Sequence, residues 1–292
     1  MNDIVSILVP TFNRPNLLKV CLKSIIDQTY KNLEIIVIDD NSNKPVNNII
    51  NEFNDSRIKL FTNSKNVGSK KGDREHFRRF IYDLMSGDYF IYITDDDYWP
   101  DINFIEKAVN LMKKNKNLSS VIGSQLSEFY DDENQLKTMN LNYIYNLLSK
   151  EYSTDEFYYF KNLFKSGYYS GYDYLKKFSE NATSYNISIT ASLRRKSHCM
   201  ESKYLIAKEP SKWQGGYEYN IVPALKYDIF FINEPCVVAR IHRNNASFKF
   251  TQFQHYMDSV RSIINSFENI EDMGFSTKNL QTLYKIKESF LK

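Results

Sequence analysis

Three consecutive carboxylates, Asp95, Asp96 and Asp97, stand at the end of an apolar, β-rich run in "YFIYITDDDYWP", residues 89–100. Burying like charges side by side is unfavourable by several kcal/mol unless a positive group compensates them. Mg²⁺ and Mn²⁺ prefer such oxygen ligands, and they are held by one or two carboxylates together with phosphate oxygens and water. We therefore predict a Mn²⁺ or Mg²⁺ ion at this point, carrying a diphosphate.

A second acidic pair, Asp39 and Asp40, follows another apolar run in "LEIIVIDDNSN", and the polar stretch "PTFNRP" follows a third run near the N-terminus. In an open α/β sheet, ligands bind in the crevice beyond the carboxyl ends of the strands. We therefore expect these strand ends to share one crevice. The alternative for Asp39 and Asp40 is a turn-forming pair, because "DDNSN" is also typical turn chemistry.

Strand and helix patterns alternate through the first half of the chain. Short continuous apolar runs, typical of strands covered on both faces, are separated by stretches with apolar residues at helical spacing. This βαβα order predicts an α/β fold with a mostly parallel sheet flanked by helices. The predicted strands of this half are 4–9, 33–40, 58–62, 89–97 and 119–126.

The second half changes character at a tyrosine-rich, helix-leaning segment, residues 131–183. Strand patterns return at 185–195 and 228–242, and two amphipathic helical patterns follow. We predict a first half over 1–125, a second half of the same domain over 126–245 containing a helical insertion at about 131–183, and C-terminal helices over 246–292. The tyrosines are consistent with a sugar-binding face and, equally, with packing between helices.

The composition excludes several classes of protein. Lys and Arg number 38 against 35 Asp and Glu, a net charge of +3, which does not indicate a nucleic-acid binder. Three widely spaced cysteines, Cys21, Cys199 and Cys236, argue against a disulfide framework and fit a reducing cytoplasm. Pro10 interrupts the apolar N-terminus, so we predict no signal peptide, and no run reaches the roughly 20 apolar residues of a membrane span.

The combination of "VSILVPTFNRPNLLKVCLKSIIDQTYKNLEIIVIDDNSN", "SGDYFIYITDDDYWP" and "INEPCVVARIH" resembles glycosyltransferase family 2, which has the GT-A fold. The resemblance covers residues 3–125 well and 185–245 more loosely. It implies an inverting enzyme that moves a sugar from a nucleotide diphosphate sugar to a hydroxyl of a glycan or lipid-linked acceptor, in bacterial surface polysaccharide synthesis. A lipid-linked acceptor implies peripheral contact with the inner face of the cell membrane.

The resemblance also implies a nucleotide pocket. Asp39 corresponds to the aspartate that contacts the base, and Asp40 to the carboxylate near the ribose. Because a carboxylate accepts the imide N–H of uracil or thymine, a UDP- or dTDP-type donor is expected. The positions carried over to this pocket are Pro10, Thr11, Asn13, Arg14, Asp39 and Asp40.

For the metal and the diphosphate, the resemblance points to Asp96 as the first metal ligand and Asp97 as the second. Asp95 would contact the ribose or orient the cluster. His242, in "VARIH", would supply a metal or diphosphate contact, with Arg240 bracing it. The arginine expected to contact the diphosphate is Arg79, with Arg74 and Arg78 as alternatives on the same segment, and a solvated helix face remains the other explanation for these arginines.

The resemblance places the catalytic base in "QGGYEYN", where Glu218 would take the proton of the acceptor hydroxyl. Asp228 is the alternative base. An exposed glutamate at a helix start, favoured by the helix dipole, is the structural explanation of Glu218.

Two other functions compete with sugar transfer. A nucleotidyltransferase on a similar sheet would need a glycine-rich loop after the first strand, and "VPTFNRPN" contains none. A catalytically silent module that binds a nucleotide sugar is the second alternative.

Overall fold

The computed structural model describes residues 3–67, 83–130, 164–177, 189–200, 220, 223–224, 226–243 and 245, and the backbone alone of 148–149, 158–160, 178–181 and 201. The predicted C-terminal helices over 246–292 lie outside these residues. The proposed domain boundaries stay a prediction.

The first half of the chain forms the alternating elements that the sequence predicts. Helix α1 begins at Pro15, where the missing N–H and the fixed φ of proline suit the first helical turn. In chain order the elements are β1 Val5–Thr11, α1 Pro15–Ile26, β2 Leu33–Asp39, α2 Asn47–Phe53, β3 Ile58–Thr62 and β4 Tyr89–Tyr92. β1 and β2 are almost fully buried, whereas β3, at the border of the sheet, is partly exposed.

The second half adds two long strands and several short elements. β6 and β11 are the longest, and they pair in parallel along most of their length. The elements are β5 Asp97–Tyr98, α3 Phe104–Lys114, β6 Leu118–Phe129, β7 Leu148–Ser149, β8 Tyr158–Phe160, β9 Gly167–Tyr169, α4 Gly171–Asn181, β10 Ser192–Arg195, α5 Lys196–Glu201 and β11 Asp228–Ile241.

One sheet contains all of these strands, in the order β3-β2-β1-β4-β10-β6-β11-β5 along its main path. β3, β2, β1 and β4 are parallel neighbours, and β10 inserts antiparallel between β4 and β6. Because β10 opposes both of its neighbours, β6 and β11 run in the same direction as the first four strands. The predicted α/β class is confirmed.

The tyrosine-rich segment is less helical than predicted. In its described part, β7, β8 and β9 are strands that pair with one another, with β6 or with β11, and α4 is the one helix. Aromatic and β-branched residues suit a half-buried strand as well as a helix, and here the edges of β6 and β11 provide pairing partners.

The core lies on both faces of the sheet. One face packs α1 and α3 against the strands, through residues such as Leu18, Leu22 and Val109. The other face carries a smaller cluster that includes Leu8, Ile36 and Cys199. Two-sided burial explains why the strands are apolar throughout instead of alternating. Among the residues described here, no helix has the length and apolar character needed to span a membrane.

Candidate active site

The polar strand ends meet in one crevice, as the sequence predicts. Thr11 and Asp39 are register partners at the carboxyl ends of β1 and β2. The Thr11 Oγ1 hydroxyl donates a hydrogen bond of 2.8 Å to Asp95 Oδ2, which follows β4. The parallel pairing of three strands therefore brings the first motif and the carboxylate triplet into contact.

Arg14 supplies the positive charge that the carboxylates need. It stands between β1 and α1, and its Nη1 lies 3.0 Å from Asp95 Oδ1 and 2.8 Å from Asp96 Oδ2. The two carboxylates are almost completely buried, whereas the Arg14 side chain is 24% exposed. One face of the guanidinium pairs with protein carboxylates, and the group remains within reach of a ligand from solvent.

Asp96 collects three nitrogen contacts on one oxygen, Oδ2. Besides Arg14, His242 Nε2 lies at 3.2 Å and Asn245 Nδ2 donates at 3.0 Å. Asn245 is fixed in turn, because its Oδ1 accepts the His242 N–H at 2.5 Å. Asn245 is not among the predicted site residues, and its position three residues after His242 is the one sequence feature that indicates it.

Arg240 holds the backbone of the carboxylate triplet in place. Its Nε donates to the Asp96 carbonyl at 2.6 Å, and its Nη2 donates to the carbonyls of Leu17 at 2.9 Å and Asp95 at 3.3 Å. The guanidinium also lies between the rings of Tyr98 and Tyr130, at 5.5 and 5.6 Å from their centroids. Arg240 therefore positions the carboxylates themselves, a wider role than bracing His242.

The three neighbouring aspartates differ in pKa. Burial, and next the charge of Asp96, raise the pKa of Asp95 to about 6, although Arg14 and Thr11 partly offset the rise. Burial and the charge of Asp96 likewise raise the pKa of Asp97 to about 8. Burial also acts on Asp96, but the contacts with His242 and Arg14 outweigh it and lower its pKa to about 2. Asp96 is thus the most acidic member of the triplet.

The predicted set of three metal ligands is not assembled. Among the residues that the structure describes, no three His, Cys, Asp or Glu side chains converge on a common point that could hold an ion. Asp97 lies in β5 and is fully buried, and its carboxyl is hydrogen-bonded to Thr190 and Thr94. What remains is the contact between Asp96 and His242, a carboxylate and an imidazole. A carboxylate such as that of Asp96 is the type of ligand that Mn²⁺ and Mg²⁺ prefer, and these ions need few protein ligands when phosphate oxygens and water complete the shell.

Asp39 and Asp40 lie at the crevice, and their side chains also accept hydrogen bonds that stabilise the following turns, as the alternative interpretation predicts. Asp39 Oδ1 accepts the Ser42 N–H at 3.0 Å. Asp40 Oδ1 accepts from Asn63 Nδ2 and from the Val67 N–H, each at 2.8 Å. Asp40 therefore orders the segment after β3, and Asp39 orders the loop after β2.

Two further residues of the predicted nucleotide pocket, Pro10 and Asn13, lie at the end of β1 and in the loop that follows it. Pro10 is the penultimate residue of β1 and is half-buried. Asn13 adopts a left-handed φ of 55°, which asparagine tolerates well. Its N–H donates to Ser42 Oγ at 2.9 Å and its Oδ1 accepts the Asn43 N–H at 2.8 Å. Asn13 thus joins the loops that follow β1 and β2.

Asp228 does not belong to the site, so its assignment as the alternative base is wrong. It is the first residue of β11, and Asn117 Nδ2 donates to its Oδ2 at 2.8 Å. His242 comes just after the other end of this 14-residue strand, roughly 40 Å away at the usual rise per residue. Periodicity located the strand correctly, but only its direction in the sheet shows which end meets the crevice.

Four predicted residues lie outside the described part of the chain, and their roles stay predictions. They are the base Glu218 and the three arginines Arg74, Arg78 and Arg79.

Comparison with curated proteins finds bacterial glucosyltransferases. The chain is 34% identical over 125 residues to the UDP-Glc:alpha-D-GlcNAc-diphosphoundecaprenol beta-1,3-glucosyltransferase WfgD of Escherichia coli, covering 42% of this chain and 47% of WfgD. It is 34% identical over 128 residues to the GalNAc(5)-diNAcBac-PP-undecaprenol beta-1,3-glucosyltransferase of Campylobacter jejuni, covering 42% and 38% of the two chains. The matched region therefore spans less than half of either relative.

Among solved structures, S. aureus TarS 1-349 in complex with UDP-GlcNAc has a similar fold. The TM-score is 0.66 at 13% sequence identity, over 98% of this chain and 71% of TarS 1-349. The family model described as glycosyl transferase family 2 matches residues 6–197, about two thirds of the chain. That match includes β1, the carboxylate triplet and Arg14. The chain is a member of glycosyltransferase family 2.

Proposed function

We propose that this protein is an inverting glycosyltransferase that takes a sugar from a UDP- or dTDP-type donor. The observation that carries the proposal is the group of three nitrogen contacts on the carboxylate of Asp96, the most acidic of the three aspartates, at the carboxyl edge of the sheet. A buried acid with a low pKa, next to an arginine partly open to solvent, is suited to a divalent cation and a diphosphate.

The order of groups along the sheet edge gives the donor an orientation. Asp39, on β2, would contact the base through its imide N–H. Thr11 and Asp95 lie next to it at the ends of β1 and β4, where the ribose would lie. Arg14, Asp96 and His242 follow, where the diphosphate would bind.

The cation would be held by Asp96 and His242. When bound, Mn²⁺ or Mg²⁺ would offset the negative charge that develops on the leaving diphosphate. Arg14 would contribute a second positive charge to the same oxygens, and Arg240 would hold Asp96 in place for both. Glu218 would remove the proton of the attacking hydroxyl, on the side of the sugar opposite to the leaving group.

The acceptor we propose is a lipid-linked glycan, and the protein would then work in the cytoplasm at the inner face of the cell membrane. The support comes from the E. coli and C. jejuni relatives, whose names give acceptors linked to undecaprenol through a diphosphate. TarS, with a similar fold, was crystallised with UDP-GlcNAc. The name of the E. coli relative supports a uridine nucleotide, and the diphosphoundecaprenol acceptors of both relatives support a role in bacterial surface polysaccharide synthesis.

Calorimetry with UDP, dTDP and GDP, each with and without Mn²⁺, tests the donor. We expect the two pyrimidine nucleotides to bind about tenfold more tightly than GDP, and only with the metal. Asp39→Asn should reduce this preference, because an amide cannot replace both acceptor oxygens. Equal binding of all three nucleotides would remove Asp39 from base recognition.

A product assay tests the reaction class. With UDP-glucose and a lipid-linked acceptor, a glycosyltransferase releases UDP, whereas with UTP and glucose 1-phosphate a nucleotidyltransferase makes UDP-glucose and releases pyrophosphate. Binding without either product would favour the silent module.

A further inference from the structure

Tyr130 is an exposed aromatic residue at the border of the candidate site. It directly follows β6, and its side chain is 48% exposed. Its ring lies edge-on to His242, with centroids 6.4 Å apart, and the Arg240 guanidinium lies 5.6 Å from its centroid. Its N–H donates to the Ile241 carbonyl at 2.9 Å, which fixes its backbone against β11.

Tyr98 shows what a purely structural tyrosine does at the same arginine. Its ring packs against Arg240 at 5.5 Å, but it is half-buried and its hydroxyl donates to Glu128 Oε2 at 3.2 Å. Burial and the charge of Glu128 raise the pKa of its hydroxyl to about 12. Tyr130 contacts the same guanidinium and leaves about half of its surface open to solvent.

The position of Tyr130 along the sheet edge separates it from the nucleotide. β2, with Asp39, lies on one side of β1 and β4, and β6 and β11 lie on the other side. All of these strands run in one direction, so Tyr130 and His242 emerge at the same edge as Asp39 and Asp95. With the base at β2 and the diphosphate at Asp96, Tyr130 lies on the side of the diphosphate away from the base.

We propose that Tyr130 binds the acceptor, by stacking its open face on a pyranose ring of the glycan. This inference rests on the proposed function. Aromatic rings combine a large apolar face with little conformational freedom, and the C–H face of a pyranose is a suitable partner. Arg240 and His242 hold the ring beside the reaction centre before substrate arrives, so stacking orders few new groups.

The experiment compares three variants with wild-type protein, using UDP-glucose as the donor and a short-chain alkyl diphospho-N-acetylglucosamine as the acceptor probe. Tyr130→Ala removes the ring, and Tyr130→Phe keeps it. Tyr168→Ala is the matched control, because Tyr168 is 53% exposed and packs edge-on against Phe230 at the other end of β11. The readouts are the KM for the acceptor, the Kd for UDP with Mn²⁺, and binding of the probe by saturation-transfer NMR.

We expect Tyr130→Ala to raise the acceptor KM about 5- to 10-fold and to weaken the NMR signal of the probe, with a smaller change in the Kd for UDP. Tyr130→Phe and Tyr168→Ala should behave like wild type. An acceptor KM within twofold of wild type for Tyr130→Ala would overturn the inference. So would equal rises in the KM for acceptor and the Kd for UDP, which would mean that the ring only supports His242 and Arg240.

The same readouts separate this inference from the proposed function. If wild type binds UDP and transfers glucose while Tyr130→Ala does so equally well, only the role of Tyr130 fails. If wild type binds no UDP but binds the probe through Tyr130, the proposed function fails and the stacking site stands. If wild type binds neither, both are wrong.

Discussion

Two buried carboxylates at opposite edges of the same sheet, Glu34 and Asp96, have opposite surroundings. Glu34 lies near the start of β2 and is satisfied by the Ser6 hydroxyl, the N–H groups of Ser86 and Gly87, and Lys59. Asp96 lies at the carboxyl edge, where its immediate neighbours are two more carboxylates. A lone acid surrounded by donors orders its own loop, whereas a cluster of acids must be compensated by positive charge.

The energetic difference appears in the pKa values. Although burial alone would raise the pKa of Glu34, the hydrogen bonds from Ser6 and Ser86 lower it. At the other edge, Asp95 and Asp97 have raised pKa values because they are buried beside the charge of Asp96. Three adjacent buried carboxyl groups are energetically unfavourable, and the fold itself does not require them. Such clusters are typical of functional sites, and substrate binding explains this one.

Removing Asp96 should therefore have the largest effect on activity. We expect Asp96→Asn to lower kcat/KM for transfer by about 10³-fold and to abolish the binding of Mn²⁺ in the presence of UDP. Glu34→Gln is the control for loss of a buried carboxylate, and it should keep both properties. Calorimetry and a transfer assay before and after EDTA treatment check this, and full activity after thorough chelation would exclude a role for the cation.

Removal of the catalytic base should have the next largest effect on activity. A substitution of Asp228, at the opposite edge of the sheet, is its control. Glu218→Gln cannot accept a proton at neutral pH, so kcat should fall roughly 10²-fold while the Kd for UDP changes little. Asp228→Asn, at the opposite edge, should stay within about twofold of wild type, since Asp228 lies far from the strand end that leads to His242. If both variants keep full kcat, the proton leaves by another route.

The comparison also shows what the sequence could predict. Buried strands and amphipathic helices have strong periodic signals, and the polar ends of β1, β2 and β4 were correctly placed in one crevice because parallel strands share an edge. The family resemblance alone assigned His242 to the metal or the diphosphate, and its direct 3.2 Å contact with Asp96 is visible only in the structure. Asp97 does not join this contact because Asp95 and Asp96 form a turn after β4, whereas Asp97 begins β5 and pairs with Ala239 of β11, which a run of three aspartates does not reveal.

Other features depended on tertiary contacts with no local signal. Asn245 and Tyr130 reach the site because β6 and β11 run parallel to β4, an arrangement that requires β10 to insert between them. Asp228 was assigned to the wrong edge for the same reason. Glu34 was not identified at all, since one acid in an apolar strand could equally have been exposed.

Substitution of two buried arginines, Arg240 and Arg195, provides a third test of how the carboxyl edge differs from the rest of the sheet. Arg240 donates to three carbonyls at the site, and Arg195 donates to the carbonyls of Leu118, Met112 and Asn115 elsewhere in the sheet. Replacing either by Met leaves buried carbonyls without donors, and we expect each to lower the free energy of unfolding by about 2–3 kcal/mol.

Only Arg240→Met should also weaken UDP binding, by about tenfold, because only Arg240 positions the carboxylates. Urea unfolding measures the stability of the two variants. Calorimetry, at a temperature where both are folded, then measures their Kd values for UDP. Equal Kd values for UDP in the two variants would show that Arg240 is a structural residue.

Glu34→Gln should have the smallest effect on activity and a pH-dependent effect on stability. The folded-state pKa of Glu34 lies below its ordinary value of 4.5, so its ionised form stabilises the fold above that pH, and this contribution is lost as the pH falls through the lowered pKa. At pH 7 the variant should lose about 1–2 kcal/mol, because an amide cannot accept from all four donors. At an acidic pH below the lowered pKa, wild type loses the same contribution, so the two free energies of unfolding should converge. Urea titrations at both pH values check this, and a constant difference between the proteins would show that the charge of Glu34 contributes nothing to the fold.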